Sequence, residues 1–144
     1  MGFWDSIIGS DKSSGAPATD IKTSNPFNVT IAFAPLRFSA KAKSSVNLLV
    51  KVKNLSASPQ LVSVDVLLPK DAMLGFDPAC INKAAEKRVG ELKAGATIEV
   101  HIPMWSSSQT KEGNYPLEVT VFSHYINYEK VLSYIKKSTA IRVV

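Results

Sequence analysis

From Asn28 onward the chain alternates apolar and polar residues with a period of two, the spacing that puts successive side chains on opposite faces of an extended strand. Val29, Ile31 and Phe33 alternate with Thr30 and Ala32; Pro35 interrupts, and Leu36 and Phe38 continue, the pattern of an edge strand with a kink. Val46, Leu48, Val50 and Val52 alternate with Asn47, Lys51 and Lys53, and after the turn residues 54–59 (NLSASP) the pattern resumes at Val62, Val64, Val66 and Leu68. These two runs read as a hairpin. Pro69 closes the second run, and a less regular stretch, KDAMLGFDPACINKAAEK, follows, with one short helical turn expected over residues 82–87. Lys93, Ala94 and Gly95 turn the chain into Ile98, Val100, Ile102 and Met104, and a polar loop, SSSQTKEG, leads to Tyr115, Leu117, Val119 and Val121. Residues 131–144 carry Tyr134, Ile135, Ile141 and Val143, with Lys136 and Lys137 marking a bulge or turn. About seven such half-polar segments predict an all-β fold, an antiparallel sandwich whose sheets each keep one wet face.

The first residues follow a different rule. In MGFWDSIIG, Phe3, Trp4, Ile7 and Ile8 fall at i, i+4 spacing, which puts all four on one side of a short amphipathic helix. A helix this short is unstable alone in water, so those side chains need a surface to cover them. A membrane interface, a groove on a partner protein and the chain's own sandwich all remain open as that surface. SDKSSGAPATD then reads as a flexible linker. The expected organisation is therefore residues 1–20 as segment and linker, and residues 21–144 as one sandwich domain.

Charge and composition narrow the function classes. The net charge is +5 and the isoelectric point about 9.4, yet of 17 basic residues only Arg37, Arg88 and Arg142 are arginine, and no block of like charges concentrates them. That is a solvated lysine surface, and nucleic acid is not an expected partner. Cys80 is the single cysteine, so no internal disulfide can form and the hydrophobic core alone holds the domain. No stretch approaches the ~18 to 20 apolar residues of a membrane span, and the N-terminus lacks a basic n-region followed by a long apolar one. A cytoplasmic location is expected, with peripheral membrane contact left to the N-terminal segment. Asn28 and Asn54 open tripeptides of the N-glycosylation type, which matter only in a secretory pathway.

Catalytic chemistry is not evident. Nucleophilic catalysis needs Ser or Cys beside His and an orienting acid, and the only histidines, His101 and His124, occupy positions expected to face solvent. No phosphate-binding glycine loop, nucleophile elbow or metal-ligand spacing is present, and Cys80 reads as a buried, inert thiol. No catalytic residue, metal site or cofactor is expected. Trp105, Tyr125, Tyr128 and Tyr134 fall at strand ends and in the last loop, where aromatics stack on sugars, anchor a protein partner, or pack at the rim of the core.

The stretch VNLLVKVKNLSASPQLVSVDVLLP, then VGELKAGATIEVHIPM, then KEGNYPLEVTVFSHY, resembles prokaryotic immunoglobulin-like modules of the CARDB and fibronectin type III group. The matching features are a strand ending in Asn54, one ending in Pro69, the turn Leu92 to Gly95, and the pair Gly113 and Tyr115. The resemblance implies an immunoglobulin-like sandwich, with Tyr115 placed to pin a loop through its hydroxyl as in a tyrosine corner, and it carries over no catalytic residue. The expected function is a non-enzymatic binding or adaptor domain with a protein partner, tethered to a membrane face or larger complex through Phe3, Trp4, Ile7 and Ile8. The alternative is a surface-displayed, adhesion-type module that binds carbohydrate or protein through its loop aromatics.

Overall fold

The period-two segments become strands that turn one row of side chains toward a common interior. The computed structural model describes residues 26–144, and in them the strands are β1 (Phe27–Ala34), β2 (Arg37–Phe38), β3 (Ser45–Asn54), β4 (Gln60–Leu67), β5 (Leu74–Gly75), β6 (Ala84–Leu92), β7 (Thr97–Ser106), β8 (Gly113–His124) and β9 (Val131–Val143). Phe3, Trp4, Ile7 and Ile8 lie outside the described residues. One sheet has the order β1-β3-β7-β5 and the other β2-β9-β8-β4-β6. Between them Leu48, Val50 and Val52 from β3, Ile102 and Met104 from β7, Val62, Val64 and Val66 from β4, and Leu117, Val119 and Val121 from β8 are all buried. Burying each such side chain contributes about 1.5 to 3 kcal/mol, which is what a domain without disulfides depends on.

Pairing partners depart from the sequence expectation in three places. Residues 45–54 and 60–67 do not form a hairpin: β3 pairs with β1 and β7, whereas β4 pairs with β6 and β8 in the facing sheet. Alternation fixes which side faces inward but is the same for a hairpin and for a crossover, so it does not choose between them. Residues 27–38 are likewise not one kinked strand. After the cis peptide Ala34–Pro35 the chain changes sheets, and β2 pairs in parallel with the end of β9. At Lys136 and Lys137 no bulge or turn occurs; β9 runs straight through both, and the irregularity of this ladder lies at Ser123 and His124. Among the described residues β8 and β9 form the hairpin of consecutive strands, because every earlier strand is followed by one in the opposite sheet.

One buried amide fixes the crossover from β3 to β4. Asn54 is fully enclosed, and its Nδ2 donates to the carbonyls of Ser58 and Leu92, each at 2.9 Å. Its Oδ1 accepts from the Ser56 amide at 2.9 Å and the Ser56 hydroxyl at 2.7 Å. The side chain thus uses both donors and both acceptor sites, joining the end of β3, the 55–59 link and the end of β6. Gly95, at φ +75°, donates its amide to the Asn54 carbonyl and so closes the β6–β7 turn onto the same residue. Enclosure also removes Asn54 as a glycosylation acceptor. At the opposite end the Tyr115 hydroxyl donates to the Lys111 carbonyl at 2.7 Å, the loop-pinning bond implied by the sequence.

No helical turn forms over residues 82–87; Ala84 opens β6 instead. Residues 84–87 pair with β4, from Leu67↔Ala84 to Val64↔Lys87, and the segment leading into them is held by side chains. Asp77 Oδ1 accepts the amides of Ile81 and Asn82, both at 2.9 Å, and Lys83 Nζ donates to the carbonyls of Ala72, Leu74 and Cys80. Cys80 is buried behind this knot, with Sγ donating to the Trp105 carbonyl at 3.3 Å, and burial pushes its thiol above the ordinary value.

Two outcomes follow from this packing. Asn54→Ala leaves the Leu92 carbonyl and the Ser56 amide without their partner and should cost about 3 kcal/mol, read as a shift in the urea midpoint. In the native protein iodoacetamide should modify Cys80 at least about tenfold more slowly than a free cysteine, and a wild-type rate equal to that of the unfolded chain would contradict the burial described.

Candidate functional site

The ladder registers determine which side chains share the outer face of the five-stranded sheet. Asp65 of β4 stands opposite Glu86 of β6 and Thr120 of β8, and Thr120 opposite Lys136 of β9. One row further on, Ser63 stands opposite Arg88 and Phe122, and Phe122 opposite Tyr134. In the row on the other side Leu67 stands opposite Glu118, and Glu118 opposite Ser138. These residues occupy the polar positions of their strands, which is why they point away from the valine core.

Across this face runs a stripe of aromatic rings. Phe122 lies 5.9 Å from His124 and 6.0 Å from Tyr134, and Tyr128, from the β8–β9 loop, meets the His124 ring edge-on at 5.1 Å. The Arg88 guanidinium sits 5.0 Å from the centre of the Tyr128 ring. Covered in this way, His124 is only 7% exposed and its Nε2 shares a 2.7 Å hydrogen bond with Ser63 Oγ, contrary to the expectation that it faces solvent. The folding back of the 125–130 loop is what buries it, and strand alternation gave no sign of that. His101 does lie in an exposed slot, 2.9 Å from Glu99 Oε1.

Ser63, His124 and Asp65 are the residue types of a nucleophilic triad, but their arrangement lacks its geometry. Ser63 is 2% exposed, so a substrate carbonyl has no path to its Oγ. His124 Nδ1 and Asp65 Oδ1 are both shielded from solvent and neither has a hydrogen-bond partner, so no acid orients the imidazole. The Ser63–His124 bond is a structural tie between β4 and β8.

Beside the stripe lies a groove of about 300 Å³ lined by Asp65, Leu67, Glu118, Thr120, Phe122, Tyr134 and Lys136. Its carboxylates differ. Glu118 has Lys136 at 4.0 Å, and Glu86, opposite Asp65 on β6, has Arg88 at 3.5 Å, while Asp65 has neither an ion-pair partner nor a hydrogen bond among the described residues. Burial, then the Glu86 charge, raise the Asp65 pKa above the ordinary carboxylate value, against a smaller lowering by His124.

Of the sequence-predicted aromatics the structure brings Tyr128 and Tyr134 into the stripe. Tyr125 instead stands exposed at the hairpin tip beside Ile126 and Leu132, and Trp105 is half-buried on β7, in the other sheet, opposite Gly75. Sequence reasoning missed Phe122, Asp65 and Arg88; the one available signal was that Asp65, Thr120 and Phe122 fill polar slots of well-alternating strands. Among the described residues no His, Cys, Asp and Glu group is placed to hold a metal, and no helix is long and apolar enough to cross a membrane.

No family model and no curated protein sequence matches the chain. Solved structures match its fold. Escherichia coli alpha-2-macroglobulin, spanning domain MG7 to the C-terminus, superimposes with a TM-score of 0.56 at 20% identity over 81% of this chain and 16% of its own. A FixG-related protein from Vibrio parahaemolyticus gives 0.52 at 9% identity over 83% of this chain and 98% of its own. The Pseudomonas fluorescens alkylpurine DNA glycosylase AlkC, solved bound to DNA containing an abasic site analog, gives 0.50 at 14% identity over 82% of this chain and 30% of its own. The chain is an immunoglobulin-like β-sandwich. It spans about a sixth of the alpha-2-macroglobulin chain and under a third of the glycosylase chain it matches, and the likeness is one of fold alone.

Burial strips part of the water from the Asp65 carboxyl on folding. Its folded pKa lies above the unfolded one, so ionising it costs folding free energy as pH rises through that interval, and the cost persists above it. Asp65→Asn should therefore be more stable than the parent at pH 7, and the difference should close once the pH falls below the ordinary value of 3.8. Denaturant titrations of both proteins at the two pH values check this.

Proposed function

We propose that the domain is a non-enzymatic adaptor that docks a protein partner against the tip of the β8–β9 hairpin and the adjoining ring stripe. The observation that carries the reading is the exposure at this tip: Ile126 is 73% and Leu132 59% exposed, with Tyr125, Val131 and Tyr134 also open to solvent. Five large apolar side chains around one hairpin are more than single scattered surface residues, and rigid, ring-backed positions of this kind serve as anchors in protein interfaces. Ile126 is held at φ +69°, a costly conformation for a β-branched residue, which favours a tip shaped for contact over one shaped for stability alone.

The tether through Phe3, Trp4, Ile7 and Ile8 belongs to the same proposal. Pro26 accepts the Leu55 amide at 2.6 Å, and the 55–59 link that follows lines one groove together with Tyr125, Ile126 and Leu132. The preceding chain therefore joins the sandwich at the end where the hairpin tip lies. The ring stripe favours a protein over a sugar, because His124 is covered and Tyr128 lies against Arg88, leaving Tyr134 as the stripe's open ring.

Two variants test the docking face. Ile126→Asp with Leu132→Asp should leave the circular dichroism spectrum unchanged yet reduce recovery of the partner that co-purifies with the native chain by about tenfold or more. Undiminished recovery would refute this face. Deleting residues 1–10 should abolish co-sedimentation with anionic liposomes if the tether is a membrane contact, and absence of any such co-sedimentation by the full chain would remove that form of the tether.

A further inference from the structure

We propose that the groove on the outer face of the five-stranded sheet is a binding site for a basic side chain, lysine or arginine, presented by a docked protein. The inference rests on the protein-docking reading for the source of that side chain, and on the groove itself for its chemistry. Charge complementarity comes first. Asp65 and Glu118 line the groove against the single ammonium of Lys136, and Glu86 stands in the row beside Asp65, all on a chain whose net charge is +5. Lys136 is engaged with Glu118 and Arg88 with Glu86, so among the described residues Asp65 is the carboxylate of this face left without a cation.

Shape and ring chemistry point the same way. Leu67 and Phe122 give an alkyl stem an apolar wall, and Tyr134, 62% exposed, places an aromatic ring in the same lining, the kind of group an ammonium or guanidinium packs on. A second hollow of about 380 Å³, lined by Leu68, Pro69, Pro116 and Leu117 among others, shares Leu67 and Glu118 with the first. The two hollows adjoin at Leu67 and Glu118, one richer in apolar side chains and the other holding Asp65, which fits a chain carrying an apolar residue near a basic one. A neutral donor would leave the charge of Asp65 uncompensated, whereas a cation compensates it and forms the stronger, charge-assisted hydrogen bond. The raised Asp65 pKa is consistent with a carboxylate waiting for such a partner. Holding a desolvated acid at a cost in stability is also what binding sites do where plain packing positions do not.

The test uses Nα-acetyl-lysine N-methylamide as probe and its norleucine counterpart as control, titrated into the isotopically labelled full chain. The lysine compound should shift the amides of Asp65, Thr120, Phe122 and Tyr134 saturably, with norleucine weaker by about tenfold or more. Asp65→Asn should weaken the lysine probe by a similar factor while remaining folded, and Lys136→Gln should strengthen it by removing the competing ammonium. Equal response to norleucine, an unchanged affinity in Asp65→Asn, or no saturable shift would each overturn the assignment. Failure of the hairpin variants to lose a protein partner, with probe binding intact, would instead count against the docking reading and leave the cation site standing.

Discussion

The buried amide of Asn54 is the constraint from which the rest of the architecture follows. It sits where β3 ends in one sheet and the chain must reach the other, and its four side-chain hydrogen bonds tie the 55–59 link to the end of β6. Inside a core a polar group so fully paired costs little, while any residue unable to pair all four sites leaves buried partners unsatisfied. The position therefore specifies one crossover geometry. Once β4 is delivered to the five-stranded sheet in that register, Val62, Val64 and Val66 must face the core, and Ser63, Asp65 and Leu67 must face out.

The outer face is where the fold departs from maximal stability. Arg88, Glu86 and Lys87 on the edge strand β6, with Gly90 at φ +93° beside a ladder irregularity, guard that edge against adding another strand. Among the described residues no comparable protection covers the β8–β9 tip, where apolar side chains stand in water, or the groove, where the shielded Oδ1 of the half-buried Asp65 has no hydrogen-bond partner. An edge defended by charge next to a tip left apolar is the distribution on which the proposed docking face rests. The Ser63–His124 pair of this face is closed off beneath the rings.

Much of the fold was legible in residue alternation. Val46 to Val52 and Val62 to Val66 announced both strand and inner face, because a period of two can bury one row only if the segment is extended. The matching Asn54, the Leu92–Gly95 turn and the Tyr115 hydroxyl were equally readable as local devices. The site was less so. Tyr128 and Tyr134 were identified as aromatics near the last loop, but Phe122 looked like one more strand residue and His124 like a surface one. Both depend on a loop that folds back and on neighbours from strands far away in sequence.

The sequence by itself determined that the alternating runs of β1, β3, β4, β7 and β8 are extended, which of their faces are apolar, and where several turns fall, because each depends on side chains within a few positions of one another; it gave a helical turn where β6 begins. Tertiary structure alone decided which strands are neighbours, that consecutive runs belong to opposite sheets, and that Asp65, Phe122, Tyr134 and Arg88 share one surface. Alternation carries no information about a partner strand. That choice is made by buried hydrogen bonds such as those of Asn54 and by the filling of a single core, and only their joint solution places an unpaired carboxylate beside a row of rings.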